Sequence, residues 1–194
     1  MSAYVLVLYT SRHGDTAKLA RQVAQGVEES GIEARLRTLP EGDSVAGDTA
    51  DDGTLYCSID DLRECAGLAL GSPTRFGHMS SAMHRFLERT SNLWISGALI
   101  DKPASVFTST STLHGGQEST LLSMMLPLIH HGMLISGIPF SAEPLHSGEG
   151  GGSPYGAGHV AGDSGENPIN RDERQLARIQ GKRLGRLAQQ LAKN

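Results

Sequence analysis

A chain of 194 residues with a net charge of −4 is long enough for one domain with a sizeable core, and it carries no basic footprint for nucleic acid. Its 38% hydrophobic and 20% charged composition is that of an ordinary globular protein, and no stretch approaches the roughly 18 apolar residues that a membrane span needs. Cys57 and Cys65 lack CxxC spacing, and no basic segment followed by a long apolar one opens the chain. The expectation is a cytoplasmic protein with two free thiols.

The first element is AYVLVLY (3–9), a near-continuous apolar run of the kind that forms a strand covered on both faces. The turn TSRHGDT follows, then a helix with apolar residues at Ala20, Val23, Ala24 and Val27, capped by Asp15 or Thr16 and stopped by Gly31. IEARLRTL (32–39) alternates and reads as an edge strand. Residues 40–58 form a polar insertion without periodicity, and SIDDLREC (58–65) reads as a short helix capped by Ser58. AGLALGS (66–72) is a second buried strand, followed by the turn PTRFGHMS and a helix bearing Met79, Met83, Phe86 and Leu87 on one face.

KPASVFTST (102–110) is a third buried strand, leading through STLHGGQES into a helix that contains Pro127. GMLISGIPF (132–140) is a fourth. A loop with eight glycines (147–166) then precedes a final amphipathic helix with Leu176, Ile179, Leu184, Leu187 and Leu191 on its apolar stripe. A polar loop of that length exceeds a simple connector, and the expectation is that a neighbouring subunit orders it over the active site. The alternation predicts an α/β fold: one doubly wound, three-layer αβα domain with a five-stranded parallel sheet in the flavodoxin-like order 2-1-3-4-5.

In such a sheet, ligands bind beyond the carboxyl ends of the strands where the strand order reverses. Three loops meet there: TSRHGDT, SPTRFGH and STSTLHGGQ. The first offers the hydroxyls of Thr10, Ser11 and Thr16, backbone N–H groups near Gly14 and the positive end of a helix dipole. It lacks G-x-x-x-x-G-K-[ST] and G-x-G-x-x-G, so a triphosphate and a dinucleotide fingerprint are both unsupported. A single phosphate monoester, such as FMN carries, fits it. In the second loop Pro73 stiffens the turn, Arg75 supplies a cation, Phe76 a flat wall and Gly77 an opening. The third is a hydroxyl run with a flexible end. The sole Trp, Trp94, reads as turn-borne, either core or a wall for a flat ring. His130 and His131 end a helix, where a cation is favoured. The eight histidines show no zinc spacing.

The segments VLVLYTSRHGDTAKLA, GSPTRFGHMSSAMHRFL, LWISGAL, KPASVFTSTSTLHGGQES, LPLIHHGMLISGIPFS and GGSPYGAGHVAG resemble, in this order, the WrbA family of flavodoxin-like NAD(P)H:quinone oxidoreductases. The resemblance implies non-covalent FMN, NADH or NADPH as donor, a quinone acceptor and a homotetramer. It places the FMN phosphate at Ser11, Arg12, His13, Gly14, Asp15 and Thr16. The isoalloxazine falls at Pro73, Thr74, Arg75, Phe76 and Gly77, and its pyrimidine side at Ser109, Thr110, Ser111, Thr112, Leu113, His114 and Gly115, with His130 near that edge. It also implies that Trp94 faces the ring across a subunit boundary and contacts the quinone, and that His13 contacts the nicotinamide nucleotide. Asp15 stands where the family has a neutral or basic residue. The competing readings are a flavodoxin-type electron carrier, which usually shows a strongly acidic face, and an FMN-binding regulatory protein.

Overall fold

The computed structural model describes residues 3–40, 42, 47–146 and 150–192. The strands are β1 (Tyr4–Tyr9), β2 (Glu33–Thr38), β3 (Gly67–Pro73), β4 (Pro103–Thr110), β5 (Leu134–Ile135) and β6 (Gly156–Val160). The helices are α1 (Asp15–Glu28), α2 (Ile59–Glu64), α3 (Ser81–Glu88), α4 (Ser91–Ile95), α5 (Gln117–His130) and α6 (Arg171–Leu191). All strand pairs are parallel, in the order β2-β1-β3-β4-β5 with β6 also paired to β4.

Both faces of the sheet are buried because successive side chains of each central strand point to opposite layers. Leu6, Leu8, Leu68, Leu70 and Val106 pack toward Leu62, Met83, Leu93, Leu121 and Met124 of the helices on one side. Val5, Val7, Ala69 and Phe107 pack toward Leu19, Val23, Leu176 and Leu184 of α1 and α6 on the other. The two helices in this second layer touch backbone to backbone. A Cβ at Gly26 would meet the Arg178 carbonyl at 2.2 Å, and one at Gly181 the Val23 carbonyl at 2.1 Å. The small residues of α6 are therefore as much part of its buried stripe as its leucines.

The sheet has six strands rather than five, and the correction lies at its far edge. The run 132–140 contributes only Leu134–Ile135, paired with Pro103 and Ala104. After Ser136 the chain leaves the ladder, and Pro139 has no N–H with which to continue it. The vacated edge of β4 pairs instead with Gly156–Val160, from Val106↔Gly156 to Thr110↔Val160. So the Gly-rich loop expected over 147–166 holds a buried strand of this same chain. Glycine is required there: a Cβ at Gly156 would meet the Val106 carbonyl at 2.0 Å, and one at Gly158 the Gly151 carbonyl at 1.8 Å. Residues 147–149 of that loop lie outside the described residues, as do 41 and 43–46 of the insertion. Described parts of the insertion extend the β2 edge through Thr38↔Tyr56 and Thr49↔Leu55 bridges. Cys57 and Cys65 are free, and burial pushes the Cys65 thiol up to about 11.

Candidate active site

The carboxyl ends of β1, β3, β4 and β6 open on a cleft of about 270 Å³. Its walls are Ser11, Arg12, His13, Asp15 and Thr16 from the first loop, Pro73, Thr74 and Arg75 from the second, and Ser109, Thr110 and Ser111 from the third. The strand ends are laced together. Thr10 N–H donates to Gly71 O (3.0 Å), Thr74 N–H to Ser109 O (3.0 Å) and the Thr108 hydroxyl to Ser72 O (2.8 Å).

The first loop is built to receive an anion. α1 begins at Asp15, and its N-cap is Gly14 at φ +90°, which offers no side chain to the first-turn N–H groups. Neither Asp15 nor Thr16 is the cap expected of them. Ser11 Oγ instead reaches the Ala17 N–H at 3.3 Å, and the Thr16 side chain is buried. The uncapped N–H groups and the dipole of a 14-residue helix favour a negative group at this point. Asp15, one residue into the helix, turns to Lys18 at 2.9 Å, which offsets its charge.

The second loop is a two-residue hairpin. Arg75 and His78 exchange backbone hydrogen bonds of 2.8 and 3.0 Å, and Phe76 and Gly77 both lie at positive φ, +50° and +79°. Positive φ at both central positions is the type I′ pattern, uncommon for a bulky aromatic. It presents the Phe76 ring fully to solvent beside the cleft rather than to the core. The hairpin packs tightly on the third loop: a Cβ at Gly116 would lie 3.0 Å from Gly77 Cα, and the Thr74 and Thr120 hydroxyls meet at 2.8 Å. In the third loop Thr112 O accepts from the Thr110 hydroxyl and from Gly115 N–H, and His114 adopts φ +58°. Leu113 projects outward. Gly14, Phe76, Gly77, Thr112, Leu113, His114 and Gly115 thus border the cleft through their loops without lining it.

A fourth wall was not among the expected residues: Ala161, Gly162, Asp163, Ser164 and Gly165 line the cleft directly. They follow β6, and Ala161 and Gly162 N–H donate to Thr110 O (2.7 Å) and Ser111 O (3.0 Å). Behind them sits a buried polar knot. The Glu173 carboxylate meets His159 Nδ1 at 2.8 Å and accepts from the N–H groups of Val160 (2.9 Å), Asn170 (3.0 Å) and Gly151 (3.3 Å). Burial pushes its carboxyl up, but these donors outweigh it and hold it below the usual range. The legible signal was AGHVAGDSG, an apolar strand ending in a Gly/Ser/Asp turn before a helix, the same grammar as the other three loops.

Two expected residues are elsewhere. Trp94 lies on α4, a helical turn rather than an open one, and is 59% exposed. His130 is the last residue of α5, about 20 Å along the helix from the third loop. Within one chain neither reaches the cleft. They share a neighbourhood, since His131 Nε2 donates to Thr90 Oγ1 (2.9 Å), whose own proton goes to Leu87 O. Burial, then His130, keeps the His131 imidazole below its ordinary value. Around them Ile95, Ile100, Leu126 and Ile129 are all more than half exposed. Among the described residues no group of three or more metal-ligating side chains occurs, and no helix is long and apolar enough to cross a membrane.

Residues 3–143 match the model of the NADPH-dependent FMN reductase family. The chain is 40% identical over 202 residues to an NAD(P)H dehydrogenase (quinone) of Syntrophobacter fumaroxidans, covering 98% of this chain and 99% of that protein. It is 41% identical to the protein of the same name from Geotalea daltonii, covering 96% and 97%. A crystal structure of a flavodoxin, WrbA-like protein from Agrobacterium tumefaciens superposes with a TM-score of 0.69 at 23% identity, over 98% of this chain and 99% of that one. The uncapped helix start and the hydroxyl walls fit the phosphate and ribityl chain of the cofactor that this family name specifies. The chain belongs to the NADPH-dependent FMN reductase family, with a flavodoxin-like fold.

Proposed function

We propose that the cleft binds FMN and serves a two-electron reduction of quinones by NADH or NADPH, in a homotetramer of the cytoplasm. The observation that carries this reading is the first turn of α1, whose N-cap Gly14 offers no side chain and leaves the Asp15 and Thr16 N–H groups without a capping side chain, facing a cleft walled by hydroxyls from three loops. FMN, when bound, supplies the hydride-accepting chemistry that no side chain has. The protein's part is to hold and orient. Ser11, Thr16 and the N–H groups after Gly14 anchor the phosphate, with Arg12 adding charge. Pro73, Thr74 and Arg75 bound one side of the ring system and Phe76 walls it. Ser109, Thr110 and Ser111, with the loop through Thr112, Leu113, His114 and Gly115, meet its polar edge. His13, exposed at the mouth, contacts the nicotinamide donor.

Trp94 and His130 belong to this reading through a second copy of the chain. Both stand on the apolar α4–α5 face, whose exposed Ile95, Ile100, Leu126 and Ile129 are the kind of surface that association covers. A partner's copy of that face, laid against the cleft, brings the indole over the flat ring and the imidazole toward the pyrimidine edge. The two free cysteines fit a reducing compartment.

The test is direct. Purified protein should bind added FMN and show its visible bands, oxidise NADH or NADPH with a simple benzoquinone, and lose quinone turnover in Trp94→Ala with its FMN retained. FMN binding without NAD(P)H oxidation would return the electron-carrier reading. FMN bound no better than by an unrelated protein would remove the cofactor from the account.

A further inference from the structure

We propose that the outer face of α6 docks on an anionic lipid surface and so brings the cleft to quinones held in the bilayer; this rests on the function proposed above. Six of the chain's 17 Lys and Arg stand on α6, against two of its 21 Asp and Glu. Arg171, Arg174, Arg178, Lys182 and Arg186 recur every three or four residues, one stripe along about 22 Å of helix, with Arg183 beside it. The inner face is buried, with Leu176, Ala177, Leu184 and Ala188 in the core. The stripe therefore faces outward, on the layer opposite to the α4–α5 face, and self-association through that face leaves it uncovered.

Two hollows run along the stripe. One of about 610 Å³ is walled by Lys182, Arg183 and Arg186 with Pro139, Ile179 and Leu187, and among the described residues no carboxylate lines it. The other, of about 400 Å³, is walled by Arg171, Arg174, Arg178 and Lys182, with Glu29 as its carboxylate. Glu29 lies 4.0 Å from Arg178 and 3.7 Å from Lys182, so its charge is shared between two cations. Asp172 stands in the first turn of α6, and Glu143 is exposed on the turn Glu143–His146 that packs on the helix. Even so, among the described residues no carboxylate pairs with Arg171, Arg174, Arg183 or Arg186. Arg174 and Arg183 donate to Ile169 O (3.4 Å) and Ser136 Oγ (3.1 Å), neutral acceptors that leave the charge uncompensated.

Cations with apolar residues between them suit a bilayer better than another polyanion. Anionic headgroups attract Lys and Arg through a diffuse field that needs no fixed partner geometry, and Pro139, Ile179 and Leu187 offer apolar surface to the headgroup–acyl boundary. α6 carries no aromatic on which a nucleic-acid base could stack. The position of the helix also matters. Glu173, in its first turn, holds the fourth wall of the cleft, so a surface met by Arg171 and Arg174 lies beside that wall. A quinone with an isoprenoid tail stays in the bilayer because water excludes the tail.

Flotation of the FMN-loaded protein with phosphatidylcholine vesicles, with and without about 30% phosphatidylglycerol, tests this. Binding to the anionic vesicles should be at least about tenfold tighter than to the neutral ones, and should be lost at about 0.5 M salt. Arg183→Glu with Arg186→Glu should erase the preference, with melting temperature and FMN retained. Arg63→Glu with Arg89→Glu, on the opposite layer, should keep it. With an isoprenoid quinone dissolved in the vesicles, wild-type turnover should be at least about threefold faster on the anionic ones. The α6 variant should lose that gain and still reduce a water-soluble benzoquinone at the wild-type rate. Equal binding to both vesicles, a preference that survives in the α6 variant, or equal turnover on the two vesicles would each overturn the proposal. So would α6-dependent binding to duplex DNA that is tighter than to the anionic vesicles. Failure of the function reading shows separately, as protein that reduces no soluble benzoquinone, and vesicle binding then decides alone.

Discussion

The cleft and the α4–α5 face make an instructive contrast. At the cleft, four loops from four separated stretches of one chain converge, and each wall is fixed by hydrogen bonds to its neighbour. On the α4–α5 face, Trp94 and His130 are equally well placed on their helices, yet their side chains meet solvent. The first region is finished by intrachain pairing. The second has the composition of an interface and, among the described residues, no intrachain partner to cover it. A strand-end residue takes its role from its own sheet, whereas a residue on an exposed helix face takes its role from whatever docks there.

The largest effect that would sharpen this contrast lies behind the fourth wall. Glu173→Gln turns one of the two carboxylate oxygens, which between them accept from Val160 and Gly151 and meet His159 and Asn170, into an NH2 donor facing donors, and should cost roughly 3 kcal/mol of stability by denaturant unfolding. The wild-type carboxyl lies below its ordinary value in the folded state. Its stabilisation is therefore complete above the unfolded value, roughly 4.3, and is lost as pH falls through the lower folded one. The Gln variant should lack that acid-side slope. A variant as stable as wild type would show that the fourth wall needs no support from α6.

Next in size is the anchor. Ser11→Ala with Thr16→Ala removes two hydroxyls from the phosphate turn and should weaken FMN by about a hundredfold in a fluorescence titration, with oligomeric state unchanged. Unaltered affinity would move the phosphate elsewhere. Leu126→Glu probes the other region: a carboxylate on the apolar face should weaken self-association at least about tenfold by sedimentation. If the protein sediments as before, that face is not the interface. The smallest effect is at the hairpin. Phe76→Gly relieves a positive φ and should leave the melting temperature unchanged or raise it by a stability gain of about 1 kcal/mol or less, while FMN binds more weakly. Tighter binding in the variant would mean that the ring obstructs the cleft rather than walls it.

Most of the cleft was legible because the signals are local. An apolar run, a Gly- or hydroxyl-rich turn and a helical stripe identify one β–turn–α unit at a time, and a parallel sheet brings all such turns to one edge. The cap of α1 was misread because Asp15 and Thr16 are good cap types by composition, whereas Gly14 takes a left-handed conformation that leaves the helix start open. The far edge was misread because two runs compete for β4. GMLISGIPF looks more like a strand than GAGHV does, but only backbone without side chains can pass Val106 and Gly151 at the distances seen. The fourth wall went with that strand.

The sequence by itself determined the αβα layering, the strand order of the main path and three of the four loops, because burial periodicity and turn chemistry are properties of contiguous residues. Only the tertiary structure decided which segment closes the edge of β4, that residues 161–165 face the phosphate turn, and that Trp94 and His130 lie outside their own chain's cleft. Those outcomes depend on contacts between residues far apart in the chain, where close backbone approach and helix length set the distances.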